Sequence, residues 1–150
     1  MAIEYSLELN GSDAERISDL LAHAAEGAAG RFLGAGAVLA SGVLTAVSAS
    51  APLPFPDPVE QELGVKPAVH VLFRFDKDLD ATEQRTDMVR LVSAVLKETQ
   101  GDVVLTFEGE IVWLLRKGGQ LVISDRDGFW TPEATALLPQ PHERATLPTL

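Results

Sequence analysis

Residues 67–133 constrain the fold most, because a strand pattern, a helix pattern and two hairpin patterns follow one another there. Val69, Val71, Phe73 and Phe75 alternate with residues of other types, which is the period of a strand with one face in a core. Behind them comes an apolar stripe at helical spacing, formed by Met88, Leu91, Val92, Val95 and Leu96. This order predicts a sheet with a helix packed on it and favours a binding surface over an active site.

The sequence also predicts where these elements begin and end. A helix over residues 80–100 is predicted to begin at Asp80, whose carboxylate can cap the first turn, and to end before Gly101. Strands follow at residues 103–107, 111–115 and 121–124. Glu108-Gly109 and residues 117–119 are typical of tight hairpin turns between them.

The first half opens with a half-buried strand over residues 3–9, where apolar and polar residues alternate. A helix over residues 12–28 is predicted next, capped by Ser12 with Glu15 completing a capping box, and ended by Gly27 and Gly30. Its apolar face consists of Ile17, Leu20, Leu21, Ala24 and Ala28.

Residues 32–56 carry no charge, and the segment is long enough to span a membrane as a helix. Small residues dominate this stretch and prolines break its end, so a buried hairpin is the better interpretation, with strands at residues 37–40 and 43–48 around Ser41-Gly42. The proline-rich run after it is expected on the surface. A single domain over residues 1–150 follows, of the α+β class: a mainly antiparallel sheet with two principal helices on one face, in the approximate order βαββ-βαβββ.

Composition narrows the function. The 150 residues include no cysteine, which excludes disulfide scaffolds, thiol catalysis and cysteine-ligated zinc. A formal net charge of −10 opposes binding to nucleic acid or to anionic lipid. The same charge either attracts a basic partner or only keeps the protein in solution. Glu4 and Glu8 interrupt any secretory pattern, so a cytoplasmic location is expected.

No metal or catalytic centre is predicted. Asp76, Asp78 and Asp80 have the opening spacing of a calcium loop, but Ala81 and Asp87 stand where that loop needs glycine and glutamate. The three histidines are scattered, and the serines and glycines match neither a nucleophile elbow nor a nucleotide-binding loop. We therefore expect no cofactor and no enzymatic activity.

One acidic cluster is the predicted partner-binding surface. Asp76 and Asp78 lie in the loop after a strand, and Glu83 and Asp87 are four residues apart on the following helix. Their spacing places Glu83 and Asp87 beside the apolar stripe, which predicts that they point outward. The alternative is a solvated face without a partner.

Several motifs together resemble a bacterial immunity family. They are AIEY at residues 2–5, FRFDK at 73–77, GDVVL at 101–105, LLRKGG at 114–119 and GFWTPE at 128–133. In this combination the chain resembles the swarm-exclusion (Sit) immunity proteins. The resemblance implies a small cytoplasmic protein that binds and neutralises a cognate protein toxin without catalysis, and the acidic balance favours a basic toxin. A small enzyme or ligand-binding domain with a pocket near Trp130 remains the alternative.

Overall fold

The computed structural model describes residues 3–27, 31–33 and 36–150. Within these residues nine strands form one sheet, in the order β2-β3-β4-β5-β1-β6-β7-β8-β9. Every pairing is antiparallel except the one between β8 and β9. The strands are β1 (Ile3–Leu9), β2 (Arg31–Leu33), β3 (Gly36–Val38), β4 (Leu44–Ala49), β5 (Val69–Phe75), β6 (Val103–Phe107), β7 (Ile111–Lys117), β8 (Gln120–Ser124) and β9 (Glu143–Ala145).

Four described helices accompany the sheet: α1 (Ala14–Gly27), α2 (Pro58–Leu63), α3 (Ala81–Glu98) and α4 (Pro132–Ala136). The predicted α+β class with two principal helices is confirmed. The predicted order βαββ-βαβββ is incomplete, because it lacks β2, α2, α4 and β9. These four elements are only three to six residues long. Elements this short show too few repeats for a periodic pattern to identify them.

The main core lies between the sheet and the pair α1 and α3. Leu7, Val71, Phe73 and Leu105 point from neighbouring strands into it, and all are fully buried. The predicted stripe on α3 is confirmed, since its five members are at most 4% exposed. One apolar face per helix and per strand is therefore enough to explain this layer.

A smaller core covers part of the other face. Val59 and Leu63 of α2 pack with Val65 against Val104 and Val112 of the sheet. The prediction did not include this cover, since α2 contributes only two buried side chains. Because β6 is covered on both faces, it reads as an apolar run rather than an alternating strand.

The start of α1 differs from the prediction. Asp13, not Ser12, is the cap: its Oδ1 accepts a hydrogen bond from the backbone N–H of Arg16 at 2.8 Å. The helix accordingly starts at Ala14, and Glu15 is one position too early for a capping box. Ala28 and Gly30, which the prediction placed at the far end, lie outside the described residues.

The start of α3 confirms the Asp80 cap, whose carboxylate accepts from the N–H of Glu83 at 3.0 Å. The helix ends at Glu98, and Thr99 adopts an extended conformation beyond it. Gly101 serves a different purpose from the predicted stop. A Cβ there would collide with the backbone of Asn10, so only glycine allows the two segments to pack.

The hairpins are confirmed. Gly118 and Gly119 both have positive φ, 59° and 82°, and connect β7 to β8 as a two-residue turn. Residues 108–110 connect β6 to β7, and residues 39–43 connect β3 to β4.

Candidate partner-binding surfaces

The antiparallel pair of β4 and β5 carries a distinctive segment at each end. Leu44 pairs with Arg74 and Ala49 pairs with Val69, so the segment after β4 and the segment after β5 lie at opposite ends of the pair. We call residues 51–57 the proline strap and residues 76–80 the acidic loop. The large apolar residues most exposed in the described part of the chain lie on these two segments: Leu53 and Phe55 on the strap, Leu79 on the loop.

The acidic loop is held by the buried side chain of Gln84 in α3. Gln84 Oε1 accepts from the N–H of Asp76 at 2.7 Å, and Gln84 Nε2 donates to the carbonyl of Asp76 at 2.8 Å. Asp76 Oδ1 in turn accepts from the N–H of Asp78 at 2.9 Å. These three bonds fix the backbone at the start of the loop and the position of the Asp76 carboxylate.

Three of the four predicted binding residues are exposed to solvent in the structure. Asp76, Asp78 and Glu83 are exposed. The prediction that Asp87 points outward is wrong: the residue is 9% exposed, and its Oδ1 lies 3.4 Å from Nη1 of Arg90. Asp87 borders a cavity with Ala40 and Ser41 of the β3–β4 turn, which lies over this part of α3. That cover is a tertiary contact, so helical spacing could not reveal it.

The proline strap has a different construction. Pro52, Pro54, Pro56 and Pro58 occupy alternate positions, and prolines restrict the backbone. The residues between the first three prolines are Leu53, 47% exposed, and Phe55, 59% exposed. At the end of the strap Asp57 caps α2 by accepting from the N–H of Val59 at 2.9 Å. The prediction of a surface connection is confirmed.

A cavity of about 310 Å³ lies beside the strap on the outer face of the sheet. Its polar lining includes Glu8 of β1, His70 of β5, Asp57 and Ser48. Glu8 Oε2 is buried, and none of the described residues forms a hydrogen bond with it. Burial raises the pKa of the Glu8 carboxyl to about 7, and the nearby charge of Asp57 adds to the rise.

His70 does not compensate this carboxylate with a charge. Its Nε2 lies 3.1 Å from Ser6 Oγ, and burial lowers the pKa of the ring, which favours the neutral form. Sequence reasoning missed the cavity because Glu8 stands at a polar position of an alternating strand. The available signal was the proline-rich run, which has to cross some part of the sheet surface.

Trp130, the centre of the alternative hypothesis, is an anchor. Its Nε1 donates to the carbonyl of Trp113 at 2.8 Å, and Phe129 lies against both indoles. The guanidinium carbon of Arg85 lies 5.3 Å from the centre of the Phe129 ring. These described neighbours fix the segment after β8 onto the core.

A groove of about 860 Å³ lies between α1 and α3. Leu20, Ala24 and Leu137 give it apolar walls, and charged side chains line it as well. One of these, Arg16, donates through Nη2 to the carbonyl of Glu98 at 2.6 Å. Arg16 thus ties the two helices together.

No group of three or more His, Asp or Glu side chains is arranged to hold a metal ion within residues 3–27, 31–33 and 36–150. Among the described helices, none combines the length and the apolar character needed to cross a membrane.

A protein-family model described as SitI3-like matches residues 3–134. The match runs from β1 into α4 and includes both the proline strap and the acidic loop. No curated protein and no solved structure gives a significant match.

Proposed function

The chain belongs to the SitI3-like family, and we propose that it is an immunity protein that binds and neutralises a cognate bacterial toxin. The family match over residues 3–134 is the observation that carries this proposal. Neutralisation by binding needs a complementary surface and no catalytic group. The protein acts in the cytoplasm of the cell that makes it, where an incoming toxin would meet it.

Charge supports a basic toxin as the partner. The chain carries 22 acidic and 12 basic residues. The acidic loop concentrates this charge at Asp76, Asp78 and the neighbouring Glu83, all exposed. Gln84 fixes the backbone of Asp76, so the loop that carries Asp76 and Asp78 is held in place before a partner arrives. Such a surface raises the rate of encounter with a basic protein more than it lengthens the life of the complex.

The test starts from the gene locus. The C-terminal domain of the protein encoded by the adjacent upstream reading frame is expressed from an inducible promoter, with and without this chain. We expect growth to be rescued and the two proteins to co-elute as a stoichiometric complex. Leu91→Asp, which should unfold the chain, controls for effects of expression alone.

Growth arrest that persists beside a folded, abundant chain, with no complex on gel filtration, would contradict the proposal. Hydrolysis or modification of the toxin by substoichiometric amounts of this chain would contradict the non-catalytic part of it.

A further inference from the structure

We propose that the proline strap and the cavity beside it form the contact site for the toxin. Leu53 and Phe55 pack on an apolar patch of the toxin, and one cationic side chain of the toxin enters the cavity and pairs with Glu8. This inference rests on the proposed function, which supplies the partner.

The apolar half of the argument comes from the strap. Single exposed apolar residues are ordinary, but Leu53 and Phe55 are large, two positions apart and about half exposed. Each stands between two prolines, so the backbone that presents them has few conformations to lose. Binding through a preorganised segment avoids much of the ordering cost of association. The strap therefore has the properties of a docking element.

The polar half of the argument comes from the cavity. Glu8 Oε2 is buried and receives no hydrogen bond from any described residue. Of the described residues that line the cavity, none is Lys or Arg, and the second carboxylate there is Asp57. Unsatisfied buried acceptors are costly, and a guanidinium or ammonium group supplies only donors. A cation is thus the group that this cavity lacks.

The surroundings favour the same partner. Asp57 and His70 face Glu8, with the imidazole favoured in its neutral form. Lys66 and Glu60 line a second cavity beside the strap. Glu62 of α2 is exposed as well. Acidic groups outnumber basic ones around Leu53 and Phe55, so the fitting occupant is a basic surface with an apolar patch.

The first experiment tests the cavity without the toxin. Nα-acetyl-arginine amide is titrated into the protein while the Glu8 carboxyl carbon is followed by NMR between pH 5 and 8. We expect a saturable shift at millimolar concentration and a lower apparent pKa for Glu8. The neutral isostere Nα-acetyl-citrulline amide should produce neither effect. Equal responses to both probes, or no response, would overturn the cation site.

Two variants support this experiment. Glu8→Gln keeps the shape of the side chain and should abolish binding of the arginine probe, measured by chemical shifts of neighbouring amides. Asp57→Asn should weaken binding of the arginine probe several-fold, because one negative charge is removed from the cavity. Asparagine also caps helices, so α2 should be retained. Undiminished binding to Glu8→Gln would show that the probe binds elsewhere.

The second experiment uses the toxin domain from the adjacent reading frame. Replacing Leu53 and Phe55 by Ser should accelerate dissociation of the complex at least tenfold with little change in association. Leu79→Ser is the matched control, because Leu79 is similarly exposed but lies at the other end of the β4–β5 pair. For this control we expect less than a twofold change in the dissociation rate.

The outcomes separate the two proposals. If the parent binds the toxin and the strap variant binds equally well, the docking site is wrong while the function stands. If the parent binds no toxin, the proposed function fails, and the arginine titration still decides whether the cavity accepts a cation.

Discussion

The two ends of the β4–β5 pair present opposite kinds of surface. The acidic loop exposes charge on a backbone fixed by hydrogen bonds to Gln84. The proline strap exposes two apolar side chains and stands beside the half-buried Glu8, whose buried Oε2 forms no hydrogen bond with the described residues. Exposed charge acts at a distance, whereas apolar contact and a desolvated ion pair act only once surfaces touch. The loop is suited to speeding the encounter and the strap to prolonging the complex.

Distance keeps these two roles separate. Seven residues of β5 lie between the ends, and at about 3.3 Å per residue they span roughly 20 Å. The Debye length at physiological ionic strength is about 8 Å. Charges on the loop therefore have little influence at the strap, and variants at either end can be interpreted independently.

The largest effect tests whether both ends depend on one framework. Leu91 is 1% exposed in the main core, on which the whole sheet depends. Leu91→Asp buries an uncompensated charge, which costs several kcal/mol against a total stability of about 5–15 kcal/mol. We expect loss of cooperative melting by circular dichroism and loss of every binding activity.

Lys97→Asp is the control for this change, since Lys97 is an exposed residue of the same helix. It should cost less than about 1 kcal/mol. A cooperative transition in Leu91→Asp would contradict the assigned core face.

A smaller effect, limited to the acidic loop, is expected when Gln84 is replaced. Gln84→Ala removes the bonds that hold both backbone groups of Asp76 and should lower the free energy of unfolding by about 1–3 kcal/mol. Hydrogen exchange at Asp76 and Asp78 should accelerate, while exchange at Val59, in the helix that follows the strap, stays unchanged. Gln100→Ala, at an exposed position, serves as the control. Equal acceleration at both ends would show that the two regions are coupled.

Glu8 predicts a stability effect with a defined pH dependence. Its pKa is raised from 4.5 to about 7 in the folded state, so the folded protein holds the proton more tightly than the unfolded chain. Stability is therefore lost as the pH rises from about 4.5 to 7. Glu8→Gln should be more stable than the parent by about 1–2 kcal/mol at pH 8, once solvent screening is allowed for.

The advantage of Glu8→Gln should shrink to a few tenths of a kcal/mol near pH 4.5, where the folded carboxyl is protonated and the unfolded one is half protonated. Denaturant unfolding at pH 4.5 and 8 measures this directly. If the difference in unfolding free energy between Glu8→Gln and the parent is the same at both pH values, Glu8 is solvated in the folded protein.

The contrast between the two ends also shows which features of the structure can be predicted from the sequence. Elements with many repeats, such as β5 and α3, were predicted because their apolar spacing is determined by the layer they cover. Local turn chemistry likewise identified Gly118-Gly119 and the cap at Asp80. The burial of Asp87 and of Glu8 Oε2 escaped the sequence for a shared reason: each residue occupies a polar position within its own element, and another segment of the chain lies beside it. The β3–β4 turn borders Asp87, and the proline strap borders the cavity of Glu8.

The smallest predicted effect isolates the steering role of the acidic loop. Because Asp87 is buried, charge reversal belongs at Asp78 and Glu83, which are exposed and whose side chains neither cap α3 nor enter the core. The double variant Asp78→Lys with Glu83→Lys should keep the parent's melting temperature to within a few degrees. Its association with the toxin domain at low salt should slow several-fold, with dissociation unchanged, because screened surface charges affect encounter more than contact.

Salt supplies the decisive comparison for that variant. At about 1 M salt the Debye length falls to about 3 Å, so the difference in association rate between parent and variant should disappear. The strap variant, Leu53→Ser with Phe55→Ser, should keep its fast dissociation under the same conditions, since apolar contact is not screened. If the loop variant instead dissociates faster at every salt concentration, the acidic loop lies within the interface and the division between a steering end and a contact end is wrong.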